Sequence, residues 1–335
     1  MARGTASVVW RALLWVLAGG ALLGTGLLTV PRLTDPGSAR GLELVAFTPF
    51  GLAPAVALLV IAIALAVAHR GGPRLLGAVL ASVGLVATAL HLMWLAPLFV
   101  GAQPAARGEP LVVMTQNFEY GDVLALAREV RDRQVDVLVL CDMGTKQWTG
   151  VQESSIPNDL PYVADREGGA VAFSRYPLAE DEPITLHGGG SRSVHITTSP
   201  LGHVTLYALH PAQPYRPGEW QEDGARVVGA VGAGLSGDPD PTIVAGDLNA
   251  TLDHWPLRAL ASIGFTDAVV AVNGGFQPTF PVGGREQRFG ITVPPVFQID
   301  HVFVSRQLVV SEVARVATPG ADHLGVLATI RRAAS

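Results

Sequence analysis

Apolar positions in this chain follow two regimes that change near residue 100. Before it, three runs at roughly 8–30, 44–68 and 75–100 are apolar on every face, and each reaches the ~20 residues that a membrane-spanning helix requires. Three transmembrane helices are therefore predicted. Pro49 and Pro54 fall in the second run, where they either kink the helix or move its start to near Leu52. After residue 110 the apolar stretches shorten. Strands are predicted at 111–117, 135–141, 170–174, 195–199, 204–210, 242–245, 299–305 and 326–331. Val123, Leu126, Ala127 and Val130 recur at helical spacing and predict an amphipathic helix over 122–134, with further helices at 219–235 and 255–263. Many short strands with few helices point to an α+β sandwich of two sheets covered by helices, not to a doubly wound parallel sheet.

The chain thus divides into a membrane domain at 1–100, a linker at 101–110 marked by Pro104, Gly108 and Pro110, and a domain at 111–335. Hydrophobic residues make up 49% of the sequence and mean hydropathy is +0.36, too apolar for an ordinary soluble enzyme. The first run also has features of a secretory signal, since Arg3 and Arg11 precede it, but its length and the two spans behind it argue against cleavage. Arg70 and Arg74 between the second and third runs, with Arg3 and Arg11, favour a cytoplasmic N-terminus over the loop that carries Arg32, Arg40 and Asp35. Three spans then place the second domain outside the cytoplasm of a multi-pass plasma-membrane protein. The single Cys141 fits an exported domain without disulfides, and equally a cytoplasmic one.

Residues 1–100 hold six Arg and two acids, leaving 17 basic against 26 acidic residues beyond them, a net of −9. That balance counts against strong nucleic-acid binding, which calls for a basic surface.

The chemistry concentrates where strands end. Gly246-Asp247-Leu248-Asn249-Ala250-Thr251 follows the apolar run 242–245, and Asp247 and Asn249, two apart, project to one side of it. They supply hard oxygen and an amide N–H, suited to a divalent cation with a phosphate against it. Other strand ends add Thr115-Gln116-Asn117, Cys141-Asp142, Leu209-His210-Pro211, Gln298-Ile299-Asp300-His301 and Ala321-Asp322-His323.

These motifs, in this order, resemble the endonuclease/exonuclease/phosphatase superfamily of DNase I-like enzymes over roughly residues 110–331, and 169–177 resembles another strand and turn of that family. The resemblance implies a four-layer α/β sandwich, a phosphoesterase activity and a Mg²⁺ or Mn²⁺ cofactor. Metal ligands would be Asn117, Asp142 and Asp322, with Asp142 standing where the family has a Glu one methylene longer. Asp247 would orient or deprotonate the attacking water, while Asn249 and His210 bind and donate to the phosphate. His323 would be oriented by Asp300. The architecture is also similar to a membrane-bound branch of this superfamily linked to teicoplanin resistance, which implies membrane lipids as neighbours and a phosphorylated lipid-linked substrate such as a polyprenyl pyrophosphate. An extracytoplasmic nuclease, and a catalytically weak membrane-tethered binding or sensor module, are the other readings.

His301, next to Asp300 on a strand, should face the other way and be structural. Asp253 and His254 either touch substrate or open the helix at Trp255, Asp being a good N-cap. Arg175 reads as a turn residue, His91 as a polar group bonded within the helix bundle. The aromatic and proline residues of 273–281 and 293–297 form either a rim for an apolar group or loop packing.

Overall fold

All-apolar stretches and alternating ones pack by different rules, and the chain separates accordingly into two compact units, Met1–Pro97 and Leu98–Ser335. A computed structural model describes residues 2–102, 104–164, 169–237, 239–283, 287–288 and 291–334. Gln103 in the expected linker and the side chain of Arg3 lie outside the described residues.

In the first unit, α1 (Ala2–Thr34), α2 (Ala39–Ala46), α3 (Leu52–Ala68) and α4 (Gly72–Leu95) follow one another. Segments Val9–Thr34, Thr48–Ala68 and Gly72–Leu98 are long and apolar enough to cross a membrane. Pro49 lies in a 3₁₀ turn, Thr48–Gly51, and α3 begins at Leu52, the start read from the prolines as the alternative to a kink. The first part of the second apolar run is instead the short helix α2, capped by the Ser38 hydroxyl accepting from the Gly41 N–H at 3.2 Å. Close packing of α4 on α3 uses glycine: a Cβ on Gly84 would lie 2.6 Å from the Leu59 nitrogen. His91 is buried, with Nε2 3.0 Å from the Thr29 hydroxyl, so one of its two ring nitrogens is bonded inside the bundle.

The second unit is a sandwich of two six-stranded sheets. One has the order β13-β14-β1-β2-β4-β3, from β1 (Ala106–Asn117), β2 (Val137–Cys141), β3 (Tyr162–Ala164), β4 (Ala170–Ser174), β13 (Leu308–Val316) and β14 (Gly325–Ala333). The other runs β5-β6-β7-β8-β12-β9, from β5 (Leu178–Leu186), β6 (Gly189–Thr198), β7 (Gly202–Leu209), β8 (Thr242–Asp247), β9 (Thr266–Asp267) and β12 (Asp300–Val304). A small ribbon of β10 (Gln287–Arg288) and β11 (Ile291–Thr292) stands apart from both. Residues 106–110, expected in the linker, extend β1, because Ala106 and Arg107 pair with Ala333 and Arg332 across a register shift.

Period-two alternation decides which residues meet between the sheets. Leu111 and Val113 of β1, Val137 and Val139 of β2, Leu206 and Ala208 of β7, Ile243 and Ala245 of β8, and Val302 and Val304 of β12 share one buried core. Met114, Leu138 and Leu140 point the opposite way and pack with Leu126 and Val130 of α5 (Val123–Asp132), Val151 of α6 (Thr145–Glu153) and Ile156 of α7 (Ile156–Asp159). On the far side, α8 (Pro217–Ala233) lies over β7, the Tyr207 hydroxyl donating to the Ala230 carbonyl at 3.3 Å, and α9 (Trp255–Ser262) and α10 (Ala268–Ala271) complete the layer. Helices outside two facing sheets give the four layers expected.

Topology then places the strand ends. β1 and β2 are parallel and joined through α5, while β7 and β8 are parallel and joined through α8, so each crossover returns the chain in the same direction. Carboxyl ends of four central strands therefore share one rim of the sandwich.

Candidate active site

The inward-facing series of β1, β7, β8 and β12 each turns polar at one end. Leu111, Val113 and Thr115 lead to Asn117; Leu206 and Ala208 to His210; Ile243 and Ala245 to Asp247; and Asp300 precedes Val302 and Val304. Antiparallel pairing sets Asp300 opposite Asp247. β14 pairs Val326 with Thr115, which brings the preceding Asp322-His323 back to the end of β1. The expected residues thus converge because the same alternation that builds the core continues past its edge.

Asp247 is the hub. Its Oδ2 accepts from Asn117 Nδ2 at 3.0 Å and its Oδ1 from the Asn249 N–H at 2.9 Å, and His210 Nε2 stands 3.8 Å from Oδ2. Asp247, Asp300 and His323 offer ligand atoms within 4.8 Å of one another, all three being buried. His323 Nδ1 donates to Asp300 Oδ2 at 2.8 Å, leaving Nε2 for another partner. Burial opposes the charge on His323, but the adjoining Asp300 carboxylate and the nearby Asp247 outweigh it and hold the ring's pKa at about 10. Burial and the facing Asp300 push the Asp247 carboxyl above its ordinary range, against the opposing pull of His323, His210 and Asn117.

Two backbone features aim the remaining groups. Asp142 (φ 55) and Asn249 (φ 47) are left-handed, a conformation Asp and Asn adopt more readily than other side chains, so both leave the strand pleat at its end. Asp142 is half-buried, and its N–H is held by the Gly169 carbonyl at 3.0 Å. Asn249 gives one amide proton to the Pro211 carbonyl at 3.0 Å and retains a second. His210 is 3% exposed, yet neither ring nitrogen has a hydrogen-bond partner among the described residues.

Supporting contacts fix the rest. Gln116 Nε2 donates to the His323 carbonyl at 3.0 Å, and Thr279 Oγ1 accepts from the Asp300 N–H at 3.3 Å. The Phe280 ring lies 4.6 Å from that of His323, so this member of the 273–281 loop packs against the site. His301 turns away, its Nδ1 2.8 Å from Asp267 and its Nε2 3.0 Å from the Ala250 carbonyl, which makes it structural as expected. Arg175 pairs with Asp136 at 2.9 Å beneath the turn. The N-cap of α9 is His254, not Asp253, and the ring is spent on the Thr251 N–H at 2.9 Å, which leaves no side-chain cap.

Asp223 was invisible to motif reading. Fully buried on α8, its carboxylate accepts from the N–H groups of His187, Gly188 and Ala212 at 2.9, 3.1 and 2.8 Å, tying the loop before β6 to the segment after His210.

The rim suits a hard divalent cation, since it offers carboxylate oxygens, and Asp300 Oδ1 is a buried oxygen with no hydrogen-bond partner among the described residues. Asp142 and Asp322 stand outside the tight cluster of Asp247, Asp300 and His323.

A four-layer sandwich with this rim defines a phosphoester hydrolase of the DNase I-like class. The chain belongs to the Endonuclease/Exonuclease/phosphatase family, whose model matches residues 100–323. Among solved structures it is similar to an endonuclease/exonuclease/phosphatase from Beutenbergia cavernae DSM 12333, with 19% identity, 67% of this chain and 72% of that one covered, and a TM-score of 0.52. A family protein from Leptotrichia buccalis C-1013-b matches at 15% identity over 66% of this chain and 99% of that one, with a TM-score of 0.50. The TDP2 of D. rerio, solved with a single-strand DNA product, matches at 13% identity over 66% and 99%, again with a TM-score of 0.50. No curated protein matches.

Proposed function

We propose that this protein is a membrane-anchored, divalent-metal-dependent phosphoesterase that hydrolyses a phosphate ester or anhydride of a lipid-linked substrate, such as a polyprenyl pyrophosphate. The observation that carries the reading is the buried Asp247–Asp300–His323 cluster flanked by Asn117 and His210, in a chain that also has three helices apolar enough to cross a membrane. Asn117, Asp142 and Asp322 would hold Mg²⁺ or Mn²⁺. When bound, such a cation polarises a phosphoryl oxygen and offsets charge on it.

The chain's own groups divide the remaining work. Asp247, held on both oxygens, orients the attacking water and takes its proton. Asn249, through its second amide proton, and His210, through its unpartnered ring, donate to phosphate oxygens. His323, cationic through Asp300, delivers a proton to the leaving oxygen from Nε2. A net charge of −9 beyond residue 100 and the apolar helices favour a lipid over free nucleic acid.

The test is phosphate release by the detergent-purified full-length protein with Mg²⁺ or Mn²⁺, offering a polyprenyl pyrophosphate, a phospholipid and a DNA duplex in parallel. Metal-dependent turnover of a lipid supports the proposal; DNA cleavage alone replaces it with a nuclease. Silence on all three favours a binding or sensor module. The extracytoplasmic placement is tested by thiol labelling of cells carrying a cysteine at position 37 or 71, where only the former should react with an impermeant reagent.

A further inference from the structure

The loop over 273–280 is fastened at both ends to residues far from it in sequence. At its start, Asn273 Nδ2 donates to the Gly101 carbonyl at 3.3 Å and the Gly275 N–H to the Leu98 carbonyl at 2.8 Å. At its end, the Thr279 carbonyl accepts from the Leu324 N–H at 2.8 Å, and the Thr279 hydroxyl accepts from the N–H groups of Ile299 and Asp300 at 3.2 and 3.3 Å. The Phe280 ring then lies against His323. Midway, Arg315 of β13 donates from Nη1 to the Pro278 carbonyl at 2.9 Å. The loop is thus a strap that runs from residues 98–101 to the Asp300–His323 pair.

Leu98 is also the last residue of the third candidate span. When that span crosses a bilayer, the residues after it emerge at the headgroup boundary, and Gly275 is bonded to that point. Apolar surface gathers at the same place. Phe99 is 58% exposed, Val100 72% and Phe276 37%. Phe99 stands over Gly275, where an added Cβ would lie 3.3 Å from its Cε1. Among the described residues of the second unit, Phe99 and Phe276 are the two exposed phenylalanines. Such side chains are unfavourable in water and favoured between headgroups and acyl chains. We infer that Phe99, Val100 and Phe276 form a docking surface for the lipid bilayer, and that the strap holds the Asp300–His323 pair at a fixed reach from it. Continuity with the span selects a bilayer as the occupant, because the patch begins where the span ends. From Phe276 to Thr279 is three residues, at most about 10 Å of extended chain. A headgroup layer is itself roughly 5–7 Å thick on each side of a bilayer. The site therefore works beside the headgroups.

This inference rests on the membrane-anchored reading, though not on the phosphoesterase one, and the experiment separates its failure from that of the anchor. Full-length protein is placed in nanodiscs of phosphatidylcholine and phosphatidylglycerol, with acyl chains either plain or brominated near their carboxyl ends. Cys141 is fully buried, so an environment-sensitive thiol dye reports on one introduced cysteine at a time. Phe276→Cys probes the patch, and Leu33→Cys, 58% exposed near the end of the first candidate span, probes the anchor. Tyr162→Cys is the control, since it is exposed on β3, at the opposite edge of its sheet from β13. The expected result is that brominated lipid quenches the dye at 33 and at 276 but not at 162. Quenching at 33 without quenching at 276 leaves the anchor standing and overturns the docking surface, as does equal quenching at 276 and 162. A dye at 276 that is blue-shifted yet unquenched means that protein, such as a second copy of this chain, covers the patch, and this too overturns the assignment. If position 33 is not quenched either, the membrane-anchored reading fails and the inference falls with it.

Discussion

His323 Nδ1 lies 2.8 Å from Asp300 Oδ2, with both side chains buried at the edge of the two sheets. The ring's pKa stands at about 10 because the carboxylate outweighs burial, so in metal-free protein it is cationic throughout the neutral range. Raised above the ordinary 6.5, it adds stability that is complete below about that pH and drains away as pH rises through about 10.

The measurable consequence is a pH-dependent gap. In EDTA, the melting temperature of the full-length protein should exceed that of His323→Gln most at pH 6 to 7, and the two should approach each other toward pH 10 and above. A gap of constant size across that window would show that the pair does not titrate as a charged unit.

Asp247 behaves in the opposite sense. Its carboxyl is pushed up by burial and by Asp300, so its charge costs the metal-free fold. Asp247→Asn should therefore leave the melting temperature in EDTA unchanged or raised, while lowering turnover by about 10²–10⁴-fold, the range for losing a positioned base. Loss of both folding and activity would make Asp247 a structural group.

Much of this site was legible because it continues a pattern. Asn117, His210 and Asp247 sit in phase with Val113, Ala208 and Ala245, and a period-two reading of those strands reaches them directly. Less legible were the strands at sheet edges. β5 contains Glu180, Asp181, Glu182 and Pro183, and pairs on one side only, so neither alternation nor strand propensity marks it. β13 and β3 are edge strands too. Asp223 escaped because it reads as one more acid in a polar helix, yet a signal existed: Trp220, Asp223, Val227 and Val231 recur at helical spacing, which puts an acid on the buried stripe.

That placement makes Asp223 a strong candidate for a scaffold residue. Replacing it with Ala would leave the N–H groups of His187, Gly188 and Ala212 without their acceptor, the last of them buried and the other two partly within reach of water. At about 1–3 kcal/mol for a buried donor left unmade, and less for the two that water can reach, we expect a loss of about 2 kcal/mol or more in chemical denaturation. Asp223→Asn keeps one acceptor oxygen and should lose less. A change under about 1 kcal/mol in Asp223→Ala would show that water replaces the carboxylate without cost.

The last prediction concerns the joint between β7 and β8. Gly246 pairs with Leu209, has φ 153, and a Cβ placed on it would fall 1.9 Å from the Leu209 carbonyl oxygen. No side chain fits there unless the two strand ends move apart, and those ends carry His210 and Asp247. Gly237 provides the control, since its φ is 79 but an added Cβ meets nothing within 4 Å. Gly237→Ala should cost about 1–2 kcal/mol of backbone strain with turnover intact. Gly246→Ala should cost about 3 kcal/mol or more, strain and overpacking together, and should lower kcat more than KM in whatever protein still folds. Equal effects of the two substitutions would mean that positive φ alone, and not the approach of β7, requires glycine at position 246.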